Sequence, residues 1–247
     1  MTTVLYSAIF GDREPLNPDV FGPFRADRTV ILSDRPRDVP PGVELVVDDP
    51  RGLDAARASR RPKLMPHAYF PEARWSIWID NKSRLLKPPD AIVAALAAED
   101  TAGFYAFPHF RRDCVYHEGQ TVRENGLDHH RIILERMRTY RAEGMPAHFG
   151  LIEGHFIVRR HDDPAVAAFG EDWFDHVCRY SRRDQISFPY LVWKRGFRYR
   201  QITSLVWRDT VQFTVFDRKN RPPEFRRHNL FYQKVRGLYH GLRGRIR

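Results

Sequence analysis

The 247-residue chain is 42% hydrophobic and 29% charged, which excludes a disordered chain and leaves enough apolar material for a sizeable core. Its formal net charge is +10, yet residues 217–247 alone hold ten Lys or Arg against Asp217 and Glu224. The basicity therefore belongs to a tail, which argues against a nucleic-acid binder with its cations on the folded face.

The chain opens on MTTVLYSAIFGD, with no basic n-region and no long apolar run, so no signal peptide is predicted. No stretch is long and apolar enough to span a bilayer. Two cysteines, Cys114 and Cys178, occur without a CxxC, so the expectation is a reduced, cytoplasmic protein. TVLYSAIF, RTVILSD and VELVVDDP are short apolar runs that each end in polar or acidic residues. They predict buried parallel strands of an α/β sheet, whose ligands sit at the carboxyl ends of the strands. DPRGLDAARASRRPKLMPH predicts a helix broken by Pro62 and Pro66. RWSIWID is an aromatic strand that stops at Asp80-Asn81-Lys82. PPDAIVAALAAED, LDHHRIILERMRTYRAEG and DPAVAAFGEDWFDHVCRYS predict helices. TAGFYAFPHF and GLIEGHFIVRRHD predict strands, and RRDQISFPYLVWKRG suits either state. Residues 1–216 thus form one domain, and 217–247 form a basic amphipathic tail. There Phe231, Val235, Leu238, Leu242 and Ile246 recur at helical spacing.

Several groups along this order carry chemistry. Asp80, at the end of a buried strand, suits a divalent ion that neutralises a diphosphate, or else an ordinary turn. Lys82 stands where an Asp-x-Asp motif would have its second carboxylate. Arg60, Arg61, Lys63 and His67 precede that strand as phosphate ligands or as a solvated helix end. His109, Arg112, His117 and Glu118 cluster after the next strand, but their spacing matches no closed zinc pattern. Glu153 and His155 alternate among apolar residues, and a buried carboxylate there is a candidate base. Arg183, Asp184 and Gln185 open the last apolar segment, as a helix cap or as ligands for sugar hydroxyls. No P-loop, G-x-S-x-G or G-x-G-x-x-G is present.

Taken together, YSAIFGDREPL, SDR, RRPKLMPHAYFPEARWSIWIDNK, PHFRRDCVYHE and RRDQISFPYLVWK resemble the TOD1/MUCI70 glycosyltransferase-like family. The resemblance covers Val4 to about Lys194. It implies a GT-A-like nucleotide-sugar-binding sandwich with a mostly parallel sheet and helices on both faces. It implies that Asp80 serves a DxD-like motif, holding manganese or magnesium at the donor diphosphate. The missing second acidic residue departs from that motif. The loops at Phe10-Gly11 and Asp34 would lie near the nucleotide, with Lys63, His67 and Lys82 also on the donor side. Asp184 would be the base or a sugar ligand, with Glu153 the second choice for base. His109, Arg112, Glu118, Arg183 and Gln185 would line the acceptor cleft. The function implied is transfer of a sugar from a nucleotide-diphosphate donor to a glycan or lipid-linked acceptor; by its own charge the tail suits an anionic membrane surface or else a docked C-terminal helix with a solvated basic face. The alternatives are a carbohydrate- or polyanion-binding protein without catalysis, and a hydrolase.

Overall fold

The computed structural model describes residues 2–99, 102–213 and 234–235. The tail helix read from the sequence falls outside these, except for Lys234 and Val235, which are helical. The first two apolar runs form β1 (Thr3–Ile9) and β2 (Arg28–Ser33), almost wholly buried, and the third forms β3 (Glu44–Val47). β3 is partly exposed because it is the edge strand. The aromatic run is β4 (Trp75–Ile79), followed by β5 (Ser83–Leu85). Then come β6 (Phe104–Pro108), β7 (Ile152–Arg160), β8 (Arg200–Gln201) and β9 (Val211–Phe213). The main sheet has the order β3-β2-β1-β4-β7-β6-β8, while β5 and β9 pair separately. Within the main sheet pairing is parallel except where β7 meets β4 and β6, and β5 pairs with β9 antiparallel. The sheet is therefore mostly parallel with one reversed strand. That reversal puts the beginning of β7 beside the ends of β4 and β6.

Alternation along β4 divides two cores. Trp78 joins Val4, Tyr6, Phe104 and Trp173 on one face, while Trp75, Ile77 and Ile79 join Leu5, Ile31 and Tyr105 on the other. The first core is covered by α1 (Ala55–Leu64), α3 (Val115–Glu124), α4 (His130–Ala142), α5 (Pro164–Arg179) and α6 (Asp184–Arg195). The second is covered by α2 (Pro89–Glu99) and by the short α7 (Trp207–Thr210). Among the described residues no helix is long and apolar enough to cross a membrane.

Three local readings change. Pro62 does not break α1, which continues to Leu64; a proline in the last turn forfeits only one intrahelical bond. The segment RRDQISFPYLVWKRG resolves as a helix, α6, and ends at Gly196 in the left-handed conformation. α3 is a helix that the sequence does not announce. Its Gly119 packs against Met137 of α4, where a Cβ would lie 2.7 Å from the Met137 sulfur.

Gly170 sets the seat of α1. A Cβ at that position would stand 2.3 Å from the Leu64 carbonyl oxygen. Helix propensity alone favours alanine by about 1 kcal/mol, but overpacking against backbone costs about 1–3 kcal/mol or more. Because the clash is with backbone, the cost lies at the upper end, and Gly170→Ala is expected to destabilise the fold by about 2 kcal/mol net in urea unfolding. An unchanged or raised midpoint would show that α1 and α5 are not seated this closely.

Candidate active site

Parallel strands gather their carboxyl ends at one edge. β1 leads directly into Phe10-Gly11, β2 into Asp34, β4 into Asp80 and β6 into His109. The reversed β7 begins there with Glu153, Gly154 and His155. The Asp80 N–H donates to the His155 carbonyl at 2.9 Å, which ties β4 to β7 just beyond their last paired residues. Asp80 lies two residues after Trp78 and so on the same face of the strand. The Trp78 indole N–H donates to Asp80 Oδ1 at 2.8 Å.

The centre of the site is Lys63. Its ammonium is 2.6 Å from Asp184 Oδ2 and 3.5 Å from Asp80 Oδ1. The Lys63 and Asp184 side chains are 2% and 4% exposed, whereas Asp80 retains 30%. Arg60 and Lys63 are three apart on α1 and share a face; Arg60 Nε lies 3.3 Å from Asp184 Oδ2. Burial opposes ionisation of Asp184, but Arg60 and Lys63 outweigh it and hold the carboxyl well below its usual range. Burial likewise opposes Asp80, and Lys63 and Arg60 bring its pKa below the ordinary value. Gly154 lies against the pair. A Cβ there would sit 3.4 Å from Lys63 Nζ and 3.6 Å from Asp184 Oδ2, in van der Waals contact with both.

Positive charge is concentrated at this edge. Burial lowers the pKa of Arg13, and the neighbouring Arg183, Arg182 and Arg60 lower it further. Arg183 Nε is a buried donor without a hydrogen-bond partner. Arg13, Arg60, Arg182 and Arg183 are near enough to influence one another, and a group of guanidinium cations suits an anion.

A second network adjoins the first. Arg112 Nε donates to Glu118 Oε2 at 2.6 Å, and its Nη2 lies 3.2 Å from His109 Nε2. Glu153 joins His109 Nε2 at 3.5 Å and His155 Nδ1 at 3.2 Å through its two oxygens. Burial holds the His109 pKa below its ordinary value, against the opposing pull of the Glu153 carboxylate. His155 packs edge-on to Trp207 and against Phe213, with ring centroids 4.3 and 4.2 Å away.

Comparison with known proteins decides the family. A model of the TOD1/MUCI70, glycosyltransferase-like domain matches residues 44–222. The chain belongs to that family. An Arabidopsis thaliana protein described as "Probable hexosyltransferase MUCI70" is 33% identical over 143 residues. The match covers 55% of this chain but 24% of that protein, so the chain spans only a fraction of its relative. The crystal structure of mouse xyloside xylosyltransferase 1, in its apo form, is similar at a TM-score of 0.49 and 9% identity. That likeness covers 80% of this chain and 84% of the mouse chain.

The expected site residues divide into three sets in this TOD1/MUCI70 domain. Lys63, Asp80 and Asp184 meet directly, and Gln185 follows Asp184, donating to the Ile152 carbonyl at 3.0 Å. His109, Arg112, Glu118 and Glu153 form the adjoining network, and Arg183 is the residue preceding α6. The others are engaged in holding the fold. Asp34 accepts from the Gly11 N–H at 2.8 Å and pairs with Arg37, fixing Gly11 at φ +72°. Phe10 is buried in the core. Lys82 pairs with Glu14 at 3.0 Å, and His67 with Glu171 of α5 at 3.4 Å. Asn81 is a buried turn residue that accepts from the Asn17 N–H and donates to the Pro15 carbonyl. Gly154 and the Trp78 indole adjoin the Lys63 group, and Arg13 lies near Arg60, none of them singled out in the sequence. Arg60 was legible only as one basic residue among several.

Asp80 fits a divalent ion in one way only. A second carboxylate, Asp184, is reached through Lys63, whose ammonium already stands between the two. An ion at Asp80 would have to take its other ligands from a diphosphate and water, an arrangement typical of magnesium.

Proposed function

We propose that this domain transfers a sugar from a nucleotide-diphosphate donor to a glycan or lipid-linked acceptor. The observation that carries the reading is Lys63 held between Asp80 and Asp184, with Arg60 and Arg13 alongside. In such a transfer the anomeric carbon–phosphate oxygen bond breaks, and the acceptor oxygen bonds to that carbon. Negative charge then grows on the departing diphosphate. Fixed cations aimed at that charge are worth most where water is excluded. Lys63 meets that condition because Asp184 orients it and burial removes its alternatives. A divalent ion held by Asp80 would neutralise further phosphate charge.

The acceptor proton needs a base in an inverting transfer. A base works best with a pKa near the operating pH. Asp184 is held far below that by Arg60 and Lys63, so we assign it the positioning of Lys63. Glu153, flanked by His109 and His155, is the proposed proton acceptor, with the imidazoles as its onward path. The charge of residues 217–247 supports an anionic membrane as the place where a lipid-linked acceptor would be met, at about 1 kcal/mol per basic residue near the surface.

The test is a thermal-shift panel of UDP-, GDP-, CMP- and dTDP-sugars, with and without manganese. A ligand at 100 times its dissociation constant adds about 2.7 kcal/mol, a readily measured shift. One nucleotide class is expected to stabilise the protein and to lose that effect in Lys63→Met. No shift with any nucleotide in folded protein would overturn the reading in favour of a carbohydrate- or polyanion-binding protein.

A further inference from the structure

A separate group of ligating side chains includes residues that follow Arg112 in the chain. Cys114 immediately precedes α3, and His117 stands one turn into it, so the two share a helix face. His148 comes from the loop between α4 and β7. One ligating atom from each of Cys114, His117 and His148 lies within 4.8 Å of the other two. This is the one such group of three or more among the described residues. Cys114 is buried and carries a free thiol, whereas both histidines are exposed. The two imidazole rings are 5.4 Å apart, nearly perpendicular at 80°.

Two further features bear on this group. His148 has φ +56°, a left-handed conformation uncommon outside glycine, which here turns the residue toward α3. Asp113 Oδ1 lies 2.8 Å from His148 Nδ1. A carboxylate on one imidazole nitrogen fixes the ring and leaves Nε2 for a metal, the usual outer partner of a ligating histidine. The Asp113 carbonyl also accepts from the Gly150 N–H at 2.8 Å, so the same residue fastens the His148 loop from its far end.

We propose that Cys114, His117 and His148 bind a divalent transition ion of the zinc class, with Asp113 orienting His148 from outside and water in the fourth position. A thiolate and two neutral imidazoles form a borderline-soft donor set that favours zinc over magnesium or calcium. Binding releases the Cys114 thiol proton to solvent. The ion would join the start of α3 to the loop before β7. α3 carries Glu118, the partner of Arg112, so the bridge would brace one wall of the candidate cleft. This site is independent of the proposed transfer reaction and stands or falls without it.

The experiment is a cobalt titration of the tag-free full chain after treatment with a chelator. One equivalent is expected to give a sulfur-to-cobalt charge-transfer band and the intense visible bands of a tetrahedral ion, both abolished by zinc. Cys114→Ser should lose the charge-transfer band. Because Cys114 is buried and that variant could unfold, His117→Ala, at an exposed position, serves as the second variant and should lose the visible bands with its circular dichroism unchanged. Asp113→Asn should weaken zinc by about 10–100-fold, measured by competition with a chromophoric chelator. Absence of the bands in wild type, or their survival in His117→Ala, would overturn the proposal.

Discussion

Lys63→Met is expected to lower the free energy of unfolding by about 3–5 kcal/mol, the usual cost of removing one partner from a buried ion pair. Asp184, with a 4% exposed side chain, would then keep Arg60, with Arg183 as a further cation nearby. Arg60 keeps the carboxylate partly compensated, which places the value toward the lower end of that range. Asp184→Asn should cost a similar amount, since it leaves Lys63 buried beside Asp80 alone. The double variant should lose less than the sum of the two, by about 1–3 kcal/mol, because the charges removed are each other's partners. The acid limb supplies a second readout. The Asp184 carboxyl is depressed in the folded state, so its contribution is present above the unfolded carboxylate range and is lost as pH falls through the folded value. Without Lys63 that pKa rises, and acid unfolding should begin at higher pH. A Lys63→Met protein within about 0.5 kcal/mol of wild type, the ordinary scatter of surface substitutions, would show that the pair is not made.

Much of the fold is written in local pattern. Apolar runs that stop at Gly11, Asp34 and Asp80 mark strand ends, and strand ends mark the sheet edge where the site lies. Asp80 and Lys63 were accessible in this way. Their meeting with Asp184 was not, because it depends on where α6 begins relative to β7, and no local spacing encodes that distance. The direction of β7 is equally silent in the sequence, yet it alone brings Glu153 and Gly154 to the site. The partners of His67 and Lys82 are silent for the same reason: Glu171 lies 3.4 Å from His67 and Glu14 3.0 Å from Lys82, and no local spacing announces either pair. The Cys114 group shows the same limit. Cys114 and His117 are visible as neighbours, and only the folded chain delivers His148.

Asp80→Asn is the variant that separates the roles open to the carboxylate, and its effect on transfer should be the larger. Asparagine keeps an oxygen for the Trp78 indole N–H, now 2.8 Å from Asp80 Oδ1, so the loss of stability should be only about 1 kcal/mol. The negative charge disappears. Without a divalent ion, a diphosphate would rest on Arg13, Arg60 and Lys63, and removing a nearby anion should leave its affinity equal or higher. With manganese, wild type should gain about tenfold in nucleotide affinity, worth about 1.4 kcal/mol, because Asp80 and the phosphates together make the ion's ligand set. Asp80→Asn should lose that increment while keeping the metal-free affinity. Sugar transfer should fall by about 10²–10³-fold, the scale of removing one element of preorganised charge stabilisation. His117→Ala controls for the other proposed metal site and should retain the manganese increment. An increment that survived in Asp80→Asn and vanished in His117→Ala would move the ion away from the donor phosphates and leave Asp80 with no task beyond holding Lys63.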